Sequence, residues 1–122
     1  MNAPVAWALW LMLSIWVTTA TYEHPSLAGE VMANGRPYNP QDVSVAATNR
    51  YPVGTELRVC RLPLAEQEVK CIDVVVQDTG SPALTIDLSE GGFGKLGLLA
   101  EGRIPVWVIW LRSYQLGGEG HG

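Results

Sequence analysis

Two carboxylates, Asp78 and Asp87, stand where this chain could use them for proton transfer. Asp78 ends a β-branched run, Val74-Val75-Val76-Gln77-Asp78, and the turn residues Thr79-Gly80-Ser81-Pro82 follow it. Side chains alternate across a strand, so Asp78 shares its parity with Ile72, Val74 and Val76. The parity that buries those apolar residues is expected to bring the carboxyl to the rim of the core, where lost hydration favours a protonated acid. A group poised in that way can serve as a general acid. Asp87 lies in Leu84-Thr85-Ile86-Asp87-Leu88-Ser89, on the polar parity with Thr85 and Ser89. Each acid also has a plainer reading. Asp78 is suited to capping a turn through backbone N–H donors, and Asp87 to supporting the helix start that follows it.

Six short strands are expected to position these acids: Thr19–Glu23, Val43–Thr48, Glu56–Arg61, Val69–Asp78, Leu84–Leu88 and Ile104–Leu111. Residues 24 to 42, rich in Pro, Gly, Asn and Ser, read as one long loop, with Asn34-Gly35 as a turn signal. Ser89-Glu90 reads as an N-cap and an acid in a first helical turn. Phe93, Leu96 and Leu99 recur at helical spacing, and the glycines at 91, 92, 94 and 97 keep that helix short. Both parities of the last strand are apolar, which suits a strand buried on two sides or built into a closed barrel. The fold class expected is all-β, a compact six-stranded β-barrel with one short helix.

The chain has 122 residues and a net charge of −4, with no cluster of Lys or Arg. Nucleic-acid binding is disfavoured, since phosphate neutralisation needs a basic footprint. The only histidines, His24 and His121, stand far from the cysteines and no CxxC occurs, so neither a metal nor another cofactor is expected. Residues 5 to 17 are apolar except for Ser14, too short a run for a comfortable membrane span and suited to the core of a signal peptide, with Thr18-Thr19-Ala20 offering small residues for cleavage. Because no Lys or Arg precedes that run, an uncleaved anchor is the alternative, and only then is a membrane a partner. The expected division is a leader over 1–20, a barrel over 21–112 and a disordered Gly-rich tail over 113–122. Cys60 and Cys71 fall on the outer parity of adjacent hairpin strands. In an exported protein that placement suggests a cross-strand disulfide, with two free thiols as the alternative.

At these residues the chain resembles the double-psi β-barrel domain of rare lipoprotein A and the first domain of bacterial expansins. The pieces that carry the resemblance stand in family order: Ala20-Thr21-Tyr22, Met32-Ala33-Asn34-Gly35, Val45-Ala46-Ala47, Pro52-Val53-Gly54-Thr55, Val74 to Asp78, Ile86-Asp87-Leu88-Ser89, and Phe93-Gly94-Lys95-Leu96-Gly97 before the closing apolar strand. Together they span about residues 19 to 112.

The resemblance implies a protein of the cell envelope, secreted or periplasmic, acting as a monomer on peptidoglycan or another wall polysaccharide. It implies a lytic transglycosylase, in which one carboxyl protonates the glycosidic oxygen and then accepts the proton of the muramyl C6 hydroxyl. Asp78 would be that acid, with Asp87 beside it. Thr21, Tyr22, Asn34, Thr48 and Thr79 would line the substrate groove. The chain departs from the family at Arg36, where rare lipoprotein A carries Glu, and at Thr48, where it carries His. Those departures favour the alternative, a non-catalytic, expansin-like module that binds or loosens wall glycans. A remoter reading takes Asp78-Thr79-Gly80-Ser81 as half of an aspartic protease site.

Overall fold

Strand formation follows the β-branched runs, and each run ends where Pro, Gly or a polar cluster interrupts it. The structure, a computed structural model, describes residues 15–63, 67–80 and 85–113. The strands are β1 (Ile15–Tyr22), β2 (Val45–Ala47), β3 (Glu56–Arg61), β4 (Cys71–Asp78), β5 (Thr85–Leu88) and β6 (Ile104–Arg112). One helix, α1 (Glu90–Leu96), follows β5, and short 3-10 turns occupy Pro25–Leu27 and Leu99–Glu101.

The strands close into a barrel in the order β1-β5-β2-β4-β3-β6. The β1–β5 and β2–β4 pairs are parallel and the others antiparallel. The apolar pattern of β6 explains the closure. It pairs with both β1 and β3, leaving neither an open edge, while Ile104, Val106 and Val108 point into a fully buried core. Leu57, Val59, Val74, Val76, Ile86 and Leu88 complete that core from β3, β4 and β5.

The helix lies against β1, β4 and β5 and contributes Phe93 and Leu96 to the same core. Ser89 caps it as expected, accepting a hydrogen bond from the Gly92 amide at 3.0 Å. Its glycines do more than shorten it. A Cβ at Gly91 would sit 2.9 Å from the Gln41 carbonyl oxygen, so the first turn needs a residue without a side chain where the loop crosses it. Leu99, expected on the helix, lies instead in a separate 3-10 turn.

The disulfide between Cys60 and Cys71 is present, and the two residues are directly paired across β3 and β4. Cys71 is exposed, but Cys60 is buried although it lies on the outer face, where Trp107 is its in-register neighbour on β6.

β1 starts earlier than expected. Ile15–Ala20, assigned above to the leader, form most of this strand. Ile15 to Ala20 pair with β6 and Thr19 to Tyr22 with β5, and the Trp16 and Ala20 side chains are in the core. A boundary after Ala20 therefore falls inside a barrel strand. Residues 1–14 of the leader and 114–122 of the tail lie outside the described residues. Ser113, the first residue of the expected tail, is held to the barrel: its hydroxyl accepts the Trp110 indole N–H at 2.9 Å and meets the Thr55 hydroxyl at 3.1 Å.

Residues 24 to 42 are more ordered than a plain loop. Val31 and Pro37 form an antiparallel bridge around a turn in which Gly35 takes φ +86°, a conformation that favours glycine. Met32, Tyr38 and Val45 form a second, small core. Since Ala46 points into the barrel, its neighbour Val45 points out, and the folded loop is thereby packed on the outer face of β2.

Candidate functional site

One transverse row of residues organises the polar face. Thr21 on β1 is in register with Asp87 on β5, Asp87 with Ala47 on β2, and Ala47 with Asp78 on β4. The Thr21 hydroxyl donates to Asp87 Oδ1, fixing that carboxylate against β1. Ala20, Ala46 and Leu88 face the core, so Thr21, Ala47 and Asp87 face out.

Asp78 reaches this row by a route that strand parity does not give. The β2–β4 register shifts between Ala46 and Ala47: Ala46 pairs with Val76, and Ala47 with Asp78, so Gln77 is the extra residue of a bulge. Strict alternation thus ends at Val76. The expectation that Asp78 follows Ile72, Val74 and Val76 toward the core is corrected, because the bulge turns Gln77 and Asp78 toward the same loop. Asp78 Oδ1 accepts hydrogen bonds from the Ala33 amide at 3.0 Å and the Thr79 amide at 2.9 Å. The Gln77 carbonyl accepts from the Asn34 amide, and the two side chains bond through Asn34 Nδ2 and Gln77 Oε1 at 3.2 Å. The carboxylate thus has the turn-capping and loop-anchoring role of the plainer reading.

Glu23 is the residue that sequence reasoning passed over. It follows Tyr22, on the same parity as Thr21, and its amide donates to the Leu88 carbonyl. Its carboxyl is half-buried, and its pKa is pushed up to about 7, first by desolvation and then by the negative charges of Asp78 and Asp87. Beneath it, the buried Tyr38 hydroxyl donates to the Glu23 carbonyl at 3.3 Å. Burial and the charges of Glu23, Glu90 and Asp87 raise the Tyr38 pKa, although the Glu90 amide, which donates to its hydroxyl, opposes the shift. Three carboxylates, Glu23 just past β1, Asp78 on β4 and Asp87 on β5, therefore share one electrostatic neighbourhood. An acid at the end of an expected strand was the available signal, but nothing local distinguishes Glu23 from the other acids of the chain.

The remaining expected groove residues divide. Tyr22 is half-buried, its ring against Phe93 with centroids 4.8 Å apart and its hydroxyl donating to the Leu99 carbonyl at 3.0 Å. Thr79 is exposed beside Asp78. Asn34 is half-buried and also closes its own turn, its Oδ1 accepting from the Arg36 amide at 3.0 Å. Thr48 is only 1% exposed. It is withdrawn from the groove set, because it is buried and its hydroxyl accepts the Arg50 amide at 3.1 Å. No group of His, Cys, Asp and Glu among the described residues is arranged to hold a metal ion.

A cleft of about 590 Å³ lies next to the row, lined by Ala33, Asn34, Arg36, Ser44, Val53 and Gln77 among others. Neither Asp78 nor Asp87 lines it. The acids stand on an open face beside a cleft, not within a closed channel.

No protein-family model matches the chain, and no curated protein sequence matches it. Solved structures do. The Streptomyces papain inhibitor is 21% identical, with a TM-score of 0.61 over 80% of this chain and 94% of that one. Clavibacter michiganensis expansin is 25% identical in its apo form, with a TM-score of 0.60 over 83% of this chain. This chain spans about half of that expansin, 52% of its length. A mutant of the same expansin, 22% identical to this chain with the same TM-score and coverage, was crystallised with cellohexaose. Cerato-platanin 2 from M. perniciosa is 12% identical, with a TM-score of 0.57 over 79% of this chain and 94% of that one. The closed, mixed six-stranded barrel with one helix is thus an expansin-like double-psi β-barrel.

Proposed function

We propose that the barrel is an exported module that binds a neutral wall polysaccharide across the face bearing Thr21, Glu23, Asp87 and Asp78. The observation that carries this reading is the row itself, a line of hydroxyl and carboxylate groups held by three strands on an open surface beside a cleft. Sugar hydroxyls are donors that carboxylates accept well, and a chain of sugars needs a long open face instead of an enclosed pocket. The cellohexaose complex of the expansin neighbour supports a β-linked glycan as the ligand class. The disulfide supports export, since such bonds persist in oxidising compartments.

Retention on purified peptidoglycan sacculi and on cellulose tests the reading. Wild-type protein should be retained on at least one of them, and a double Asp78→Asn, Asp87→Asn variant should lose most of that retention while keeping its melting temperature. Equal retention of the folded variant, or no retention of wild type on either polymer, overturns it.

Glu23 favours a second reading, glycan cleavage. A carboxyl with a pKa near 7 is protonated in a useful fraction at neutral pH and can donate its proton to a glycosidic oxygen. In a lytic transglycosylase its carboxylate would then accept the C6 hydroxyl proton as that oxygen closes on C1. This moves the acid/base role from Asp78 to Glu23, because Asp78 is occupied by two amide donors. Release of anhydromuropeptides from sacculi, abolished by Glu23→Gln, is the result this reading requires.

A further inference from the structure

The cleft of about 590 Å³ beside the acid row is within the size range of small-ligand sites, and its lining differs in kind from the row. Gln77, the bulge residue of β4, spans it. Gln77 Oε1 accepts from Asn34 Nδ2 at 3.2 Å, and Nε2 donates to the Ser44 carbonyl at 3.1 Å. The Ser44 hydroxyl in turn donates to Asp42 Oδ1 at 2.7 Å. This chain of bonds ties the loop of residues 24 to 42 to β4 and fixes the shape of the cleft.

Two lining groups keep binding capacity. Arg36 is exposed and makes no ion pair with a described residue. Asp42 Oδ1 is filled by the Ser44 amide and hydroxyl, while Oδ2 accepts no hydrogen bond from a described residue. The cation and the anion do not pair with each other, so both are open to a ligand. Ala33, Val53 and Val75 add aliphatic surface to the same cleft. A fork of guanidinium donors, a carboxylate acceptor and aliphatic walls complement an amino-acid residue, with its carboxylate, its amide N–H and its aliphatic side chain. A uronate sugar also offers a carboxylate, but its hydroxyls would lose hydration against the two valines.

Position links the cleft to the row. Ala33 and Gln77 line the cleft, Asp78 ends the row, and the Ala33 amide donates to Asp78 Oδ1. A polymer lying along the row can therefore place a side branch in the cleft, whereas an unbranched glycan leaves it empty. We propose that the cleft takes a short acidic peptide branch of the wall polymer, its carboxylate on Arg36 and a peptide N–H on Asp42, so that the ligand is a peptide-bearing glycan and not a plain one. This rests on the reading of the row as a glycan face and names the class of polymer. Arg36 then sets specificity, while the row holds the neutral glycan backbone.

The test is an NMR titration of the full chain with N-acetylmuramyl-L-alanyl-D-isoglutamine, which carries an acidic dipeptide, and with chitotetraose, a neutral glycan without one. The muramyl dipeptide should shift the amide signals of Asn34, Arg36, Ser44 and Gly54, and chitotetraose should leave them in place. Arg36→Ala, at an exposed position, should keep the melting temperature and weaken muramyl dipeptide binding about tenfold, the scale of one charge-assisted contact. Arg36→Lys should recover part of that loss, since it keeps the charge without the fork. Absence of shifts in the cleft, an affinity untouched by Arg36→Ala, or tighter binding of digalacturonate at the same residues overturns the proposal. The two readings fail separately. Sacculus retention that needs Asp78 and Asp87, with a cleft that ignores the muramyl dipeptide, sinks the peptide site alone. Cleft shifts that depend on Arg36, with full retention of the Asp78→Asn, Asp87→Asn variant, sink the reading of the row and leave the peptide site standing.

Discussion

Asp78 and Asp87 are both in-register neighbours of Ala47, one across the parallel β2–β4 pair and the other across the antiparallel β2–β5 pair. Two strand spacings separate them, about 10 Å between backbones. The two acids are therefore neither a hydrogen-bonded dyad nor isolated charges. They are the flanks of a site whose middle is the small, buried Ala47.

Glu23 reads the charge on both flanks. In an NMR titration its carboxyl should show a midpoint near 7 in wild type. Asp78→Asn and Asp87→Asn should each move that midpoint down, because each removes one of the two negative charges that raise it. The larger part of the shift should persist in both variants, since desolvation is its main cause. A midpoint that ignores both substitutions would mean that the three acids do not share a neighbourhood.

The same group makes stability pH-dependent. The Glu23 pKa is about 7 in the folded chain against an ordinary value of 4.5, so between these values the folded state holds more protons than the unfolded state. Its contribution is most favourable below pH 4.5 and is lost as pH rises through 7. Because the carboxyl is only half-buried, solvent screening cuts the effect to on the order of 1 kcal/mol. Denaturant unfolding of wild type and Glu23→Gln across this window should show wild type losing about that much relative to the variant.

The disulfide joins residues 11 apart in sequence, so it restrains only a short loop in the unfolded chain. Its removal by Cys60→Ser and Cys71→Ser together should cost about 2–3 kcal/mol, measured as a loss of unfolding free energy under non-reducing conditions. The β3–β4 register should survive in amide-exchange measurements, since Leu57, Val59, Val74 and Val76 hold the same pairing from the core side.

Gly91→Ala tests how the loop is seated. The added Cβ would fall 2.9 Å from the Gln41 carbonyl oxygen and 3.2 Å from that of Pro40. Backbone atoms cannot swing away as a side-chain tip can, so the loop must shift, at about 1–3 kcal/mol. Gly94→Ala, where the new Cβ meets nothing within 4 Å, should leave stability unchanged or raise it slightly through helix propensity. Thermal melts of the two variants should rank in that order.

What was readable from the chain alone was what neighbouring residues enforce. The limits of β3, the Ser89 cap and the Cys60–Cys71 pairing each depend on parity or spacing within a few residues or one hairpin. The expansin-like barrel was readable too, through the order of several short pieces. Tertiary structure decided the rest, because those features depend on which strands become neighbours. The bulge at Gln77 exists only in the pairing with β2, and it redirects Asp78. Thr48 is buried where the end of β2 meets β4, its amide on the Asp78 carbonyl, and Ile15–Ala20 become a strand because β5 and β6 lie alongside. Glu23 acquires its raised pKa first from burial and then from charges on β4 and β5, both of which arise only when the barrel closes. Hydrophobic alternation is a local property, whereas desolvation and Coulomb coupling belong to the assembled surface.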